Sequence, residues 1–238
     1  MQYFLTALAG LAAGIIQGVT GFGAVIVLML FLPMFYPLNI SVGISGAIAL
    51  ANAASMTWTY RKSIDWKKVL LPALVNVLFC TLGTYASLNI DQRPIKKVFG
   101  AFLIVLAVYF LFFSKNKKLD LKLPVACLLM VGAGLCEGFF GIGGPLMVIY
   151  FLSRTSGKEE YLASLSSYFM LTGIVNTGVR FVSGVLTAQL LPILLAGVLF
   201  ILVGSFIAKK IVGKLDTDKV RTLTYIMIGV AGVVNLLR

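Results

Sequence analysis

Two clusters in the chain combine residue types and spacings that could do chemistry. The first is Gly18-Val19-Thr20-Gly21-Phe22-Gly23, and the second is Gly138-Phe139-Phe140-Gly141-Ile142-Gly143-Gly144-Pro145. Glycine exposes backbone and tolerates non-helical angles, and proline suits the first turn of a new helix. Each cluster therefore reads as a point where one helix stops and another starts, with Pro145 opening the later one. A helix start offers unpaired N–H groups and a partial positive charge, which together can hold an anion. Candidate substrate-binding residues are Gln17, just before the first cluster, Thr20, Gly21, Phe22 and Gly23 within it, and Gly141, Gly143 and Gly144 in the second. The competing reading is that these glycines let helices pack closely, as is common in membranes. Their recurrence as a matched pair inside over-long apolar runs favours a site.

Four further side chains join the candidates. Glu137 is the one acidic residue deep inside an apolar segment. A carboxylate at mid-bilayer costs about 2.5–3.5 kcal/mol on an insertion scale, so it either serves a purpose or stays neutral. It is a candidate for carrying a coupling proton or binding a cation; the alternative is a neutral acid hydrogen-bonding between helices. Arg180 stands alone near an otherwise uncharged helix end. Its fork of donors matches a sulfonate or carboxylate, and the alternative is snorkelling to the headgroups. Asn52 and Asn176 each follow a glycine cluster and are substrate-binding candidates. Asn76 and Gln189 read as interhelical glue. There is no histidine, and Cys80, Cys127 and Cys136 lie far apart inside apolar runs. No nucleophile–base pair, phosphate-binding loop or metal-ligand cluster appears, so the expectation is no enzyme, no metal and no cofactor.

The elements that must position these residues follow from composition. The chain has 238 residues, of which 60% are hydrophobic and 12% charged. Its mean hydropathy is +1.01. A soluble domain carries about 25% charged residues. Apolar runs cover 3–36, 41–60, 67–89, 95–113, 123–153, 161–183, 187–210 and 218–237. Most are close to the ~20 residues that cross a bilayer. The fold class is therefore an all-α polytopic membrane protein without a soluble domain. Runs 3–36 and 123–153 are too long, and the glycine clusters cut them into arms of about 13–15 residues, which favours re-entrant hairpins.

The two halves are copies. Gly14, Gln17, Gly18, Gly21 and Gly23 recur 120 residues later as Gly134, Glu137, Gly138, Gly141 and Gly143. The same offset links Leu71-Pro72 to Leu191-Pro192 and Ser63 to Ser183. Later it becomes 125, linking Ile90-Asp91 to Leu215-Asp216 and Lys96 to Arg221. The chain thus divides into a first repeat, 1–118, and a second, 119–238, each a broken hairpin plus three transmembrane helices.

Charge sets the topology. The formal charge is +12, with 20 Lys and Arg. These sit in short loops between apolar runs, so they mark topology and no nucleic-acid partner is expected. With each long run crossing once, the basic residues divide 10 against 10. With each long run a hairpin, they divide 15 against 5, with Arg61, Lys62, Lys67, Lys68, Lys115, Lys117, Lys118, Lys122, Arg154, Lys158, Lys209, Lys210, Lys214, Lys219 and Arg221 on one side. The positive-inside rule selects the second arrangement. Each half then has an odd number of segments, so the repeats are inverted and both termini lie outside.

Gly14 through Ala24 (GIIQGVTGFGA) and Gly134 through Pro145 (GLCEGFFGIGGP) resemble the paired motifs of the TauE/SafE family, also called the toluene-sulfonate uptake permeases. The resemblance extends over nearly the whole chain. It implies a bacterial-type inner-membrane transporter or exporter of sulfite, sulfonates such as sulfoacetate, or related organosulfur anions. The expected mechanism is secondary transport by alternating access. The partners are a small anionic substrate and the lipid bilayer, with a homodimer as the default assembly. The rival readings are a passive small-anion channel and a non-transporting membrane subunit.

Overall fold

A computed structural model describes residues 2–87, 93–113, 121–214 and 216–237, and regular structure among them is entirely helical. The helices are α1 (Gln2–Thr20), α2 (Ala24–Phe31), α3 (Leu38–Tyr60), α4 (Trp66–Ser87), α5 (Arg93–Phe113), α6 (Leu123–Phe140), α7 (Gly144–Arg154), α8 (Lys158–Val182), α9 (Leu191–Val212) and α10 (Thr217–Leu237). Lys115, Lys117, Lys118 and Arg238 of the charge count, and Ile90, Asp91 and Leu215 of the repeat, lie outside the described residues.

Among the described residues, five stretches are long and apolar enough to cross a membrane: Gln2–Thr20, Leu38–Ser63, Trp66–Ser87, Leu123–Phe140 and Ala188–Val212. Their outer faces suit lipid. Leu70, Leu74, Leu78 and Leu82 form an exposed apolar stripe on α4, and Leu191, Leu195, Leu199 and Phe206 form one on α9. Stripes of this length facing water would be large sticky patches; facing hydrocarbon they carry no penalty. The chain is a multi-pass helical membrane protein, as its composition requires.

The two long runs do break at their glycines, but unevenly. The arms have 19 and 8 residues in the first run and 18 and 11 in the second, where equal short arms were expected. The breaking glycines lie well past the start of each run, so the first arm reaches about 28 Å at 1.5 Å per residue and only the second is short. Each second arm folds back on the first. A Cβ added at Gly132 of α6 would lie 3.3 Å from the Leu146 side chain, and one at Gly23 would lie 3.3 Å from Ile16.

Helix packing repeats with the sequence. α1 packs on α9 as α6 packs on α4; α3 touches α9 as α8 touches α4. The remaining major pairs, α3 with α8 and α5 with α10, join equivalent helices. Exchanging the halves maps this pattern onto itself. Close glycine contacts give the directions. Gly10 faces Gly197, Gly14 faces Ile201 and Gly18 faces Ala208, so α1 and α9 run parallel. Gly134 faces Asn76 and Phe79, and Gly138 faces Cys80 and Thr84, so α6 and α4 also run parallel. Gly43, near the start of α3, meets Leu186 just past the end of α8, while Gly173 within α8 meets Leu50 further along α3, so α3 and α8 run antiparallel. Gly229 meets Ala107 while Gly232 meets Gly100 and Ile104, so α5 and α10 do too. Equivalent helices therefore cross in opposite directions.

Several loops gather at one end of the bundle. Lys68 pairs with Glu160 at 2.6 Å, and the Glu160 carboxylate also accepts the Ser156 N–H at 2.9 Å. Lys158 donates to the Val212 carbonyl at 3.0 Å, and Arg154 to the Leu121 carbonyl at 3.4 Å. These contacts bring together the segments around 61–68, 121–122, 154–160 and 212–214.

The parallel α1–α9 contact depends on missing side chains. A Cβ at Gly14 would overlap the Ile201 carbonyl, and backbone there cannot step aside cheaply. Gly14→Leu should destabilise the fold by about 1–3 kcal/mol or more, as overpacking does. Gly178→Ala, where an added methyl meets nothing within 4 Å, should be neutral. Thermal melting of the purified protein in detergent checks both; a wild-type melting point for G14L would mean that the two helices are not held in register by this contact.

Candidate functional site

Each helix break is made by a glycine in a left-handed conformation. Gly21 has φ 85°, and its N–H reaches the Gln17 carbonyl at 2.7 Å. Gly141 has φ 72°, and its N–H reaches the Glu137 carbonyl at 2.8 Å. This is a helix C-cap that only a residue without Cβ adopts freely. The chain then reverses, and α2 or α7 begins within three residues. The two tips are not identical: Gly23 has φ 100° whereas Gly143 has φ −90°.

The tips meet inside the bundle. A Cβ at Gly144 would lie 3.6 Å from the Phe22 ring, and one at Gly141 would lie 3.5 Å from Val25. Beside them opens a cavity of about 770 Å³, its mouth included. Among the sequence candidates, Gln17, Phe22, Gly23, Glu137, Gly141, Gly143, Gly144, Asn176 and Arg180 line it. Residues from seven helices, α1 to α4 and α6 to α8, converge on this space.

Three candidates lie elsewhere. The Thr20 hydroxyl is 2.8 Å from the carbonyls of Ile16 and Phe22, and the Thr20 carbonyl accepts the Tyr161 hydroxyl at 2.9 Å. Thr20 therefore braces the turn. Gly21 faces the Leu162 and Leu165 side chains, away from the cavity. Asn52 is fully buried in α3, and neither atom of its amide has a hydrogen-bond partner.

The polar chemistry gathers around Glu137. Its Oε2 accepts Nδ2 of Asn76 at 2.9 Å, and its Oε1 accepts Nδ2 of Asn176 at 2.8 Å. The two amides come from different helices, Asn76 from α4 and Asn176 from α8. The Arg180 Nη2 donates to the Gly138 carbonyl at 3.1 Å. Arg180 is 6% exposed and lines the cavity, so it turns inward and does not snorkel. Among the described residues no Arg180 nitrogen comes within 4.0 Å of the Glu137 carboxylate. Gln17, the repeat partner of Glu137, is 3% exposed, and its Oε1 has no partner.

Asn76, whose place inside an apolar span marks it as interhelical glue, holds half of the Glu137 carboxylate. Its position at the middle of an apolar helix is the signal that could have raised it. Phe169, Cys80 and Thr177 also line the cavity, and nothing in their spacing marks them. The arrangement can bind and orient an anion: a guanidinium, the free N–H groups at the start of α2, and a neutral amide face apolar walls. No pair of groups within it forms a nucleophile with its base.

The family model described as "Sulfite exporter TauE/SafE" matches residues 6–234. A protein of Methanocaldococcus jannaschii described as a probable membrane transporter is 27% identical over 195 residues, covering 74% of this chain and 70% of that one. No solved structure matches. The match over nearly the full length, on a multi-pass helical bundle with glycine-broken arms, makes the chain a member of the TauE/SafE family of membrane transporters.

Proposed function

We propose that this chain is a secondary transporter of a small sulfur-containing anion, sulfite or an organosulfonate, across a bacterial-type inner membrane. The observation that carries this reading is the buried guanidinium of Arg180 in a cavity formed where the two glycine tips meet. A tetrahedral or pyramidal oxyanion would take bidentate donation from Arg180 and further bonds from the N–H groups opening α2. Phe22 and Phe169 offer apolar surface to an organic tail. The family description points to sulfite, and the archaeal relative's description points to membrane transport.

The proposed topology has inverted repeats, both termini outside, and a homodimeric assembly. The antiparallel crossing of equivalent helices supports inversion, since equivalents related by a twofold axis in the membrane plane must run oppositely. The loops gathered by Lys68, Lys158 and Arg154 all belong to the more basic side of the hairpin topology. Alternating access would follow from moving one repeat against the other around the shared cavity. Glu137 is the candidate for responding to the proton gradient. This chain carries no ATP-binding motif that would drive transport directly.

Flux into proteoliposomes with labelled sulfite, sulfoacetate and taurine tests the function. Saturable uptake of at least one is expected, and Arg180→Gln should lower its kcat/KM at least about tenfold, the size of one lost charged hydrogen bond. Absence of saturable flux for every organosulfur anion would remove the substrate assignment, and conductance without saturation would make the chain a channel.

Topology has its own test. In a cysteine-free background, Lys62→Cys and Lys158→Cys should react with an impermeant thiol reagent only from the cytoplasmic side, and Ser183→Cys only from outside. Labelling of position 62 or 158 from outside would overturn the orientation.

A further inference from the structure

A buried carboxylate and a buried guanidinium that line one small cavity should collapse into an ion pair, because each is costly alone and the pair is strongly favoured in low dielectric. Here they do not. Both Glu137 oxygens are taken by the Asn76 and Asn176 amides, at 2.9 and 2.8 Å, and Arg180 is anchored on the Gly138 carbonyl at 3.1 Å. We propose that Asn76 and Asn176 are positioning residues that hold Glu137 apart from Arg180, and that Glu137, so held, is a charge filter restricting the site to singly charged anions. This rests on the transport reading above.

The charges support it. Glu137 and Arg180 are the charged residues among those lining the cavity. The other titratable groups near Glu137 are the Cys80 thiol on α4 and the Tyr168 phenol on α8, both neutral in their ordinary state. When Glu137 is ionised, one negative and one positive charge therefore meet the ligand. A single negative charge pairs with Arg180. A second negative charge on the same ligand has no cation left and must share the cavity with the Glu137 carboxylate. Gln17, unpartnered at Oε1 and 97% buried, supplies a neutral group on the same wall. The ligand class is a monoanion with a compact oxyanion head: hydrogen sulfite in preference to sulfite, and monosulfonates in preference to a sulfonate that also carries a carboxylate. Sulfoacetate is also the bulkier ligand, so the Glu137→Gln variant separates charge from size.

The test uses the full chain in proteoliposomes with two permanently defined probes, methanesulfonate as monoanion and sulfoacetate as dianion. Wild type should transport methanesulfonate with at least about tenfold higher kcat/KM. Glu137→Gln, which keeps the amide contacts but removes the charge, should reduce that preference about tenfold by admitting the dianion. Asn176→Ala should raise the KM for methanesulfonate by freeing Glu137 to reach Arg180, and adding Glu137→Gln should restore it. A purely structural Asn176 predicts no such rescue. Equal wild-type transport of both probes overturns the filter even where E137Q cannot be purified, and an unchanged preference in E137Q overturns it too. Loss of preference in E137Q together with rescue of N176A supports it. Flux without valence preference leaves the transport reading standing and removes the filter; absence of flux for every organosulfur anion removes both.

Discussion

The arrangement depends on one constraint: a chain crossing lipid can leave no backbone N–H or C=O unpaired against hydrocarbon. Helices α1 and α6 nonetheless stop and reverse inside the molecule. That is tolerable only where the reversal is wrapped in protein or faces a watery space. Left-handed Gly21 and Gly141 return their N–H groups to the carbonyls of Gln17 and Glu137, which closes each helix end internally. The start of α2 is left with free donors beside the cavity, whereas at the start of α7 Pro145 has no N–H and Leu146 returns its own to the Gly143 carbonyl. The same device that solves the backbone problem thereby creates the polar lining, so site and fold break are one feature.

Holding two such reversals together requires close backbone approach. Gly14 and Gly204 do this where α1 meets α9, and Gly138 and Gly83 where α6 meets α4. Lipid tails are as apolar as leucine, so hydrophobic burial contributes little between these helices and close packing must supply the attraction. The packing is symmetric under exchange of the halves, but the chemistry is not. At the 120-residue offset, Glu137 answers to Gln17, Asn76 to Ala196, Asn176 to Met56 and Arg180 to Tyr60. The helix packing is matched between the halves, whereas the acid Glu137, its amides and the guanidinium have no counterparts of the same type at that offset.

What the sequence made legible follows from which constraints are local. A left-handed cap admits only glycine without strain, so Gly21 and Gly141 stand out and repeat at a fixed offset. Membrane crossing also leaves a local record, in apolar runs and basic loops. The length of each hairpin arm was not legible, because a run of apolar residues does not record where the chain turns. Nor was the amide clamp: Asn76 and Asn176 lie 61 and 39 residues from Glu137 and meet it only through tertiary packing. Arg180 was ambiguous for a related reason. A basic residue near a helix end can rise to the headgroups or turn inward, and the choice is made by α6, whose Gly138 carbonyl receives it.

The asymmetry also has an electrostatic reason. A carboxylate at position 17 as well as at 137 would place two buried negative charges on one cavity with a single guanidinium to balance them. Each further unbalanced charge in a low-dielectric space costs several kcal/mol, and two nearby carboxylates cannot both stay ionised comfortably. Neutral Gln17 keeps the helix-end geometry of its partner without that charge. It leaves its Oε1 unpaired, a smaller cost of about 1–3 kcal/mol that a bound ligand's donor or a water in the cavity can offset. A single acid beside one guanidinium is thus favoured, and Gln17 fills the matching position as a neutral group.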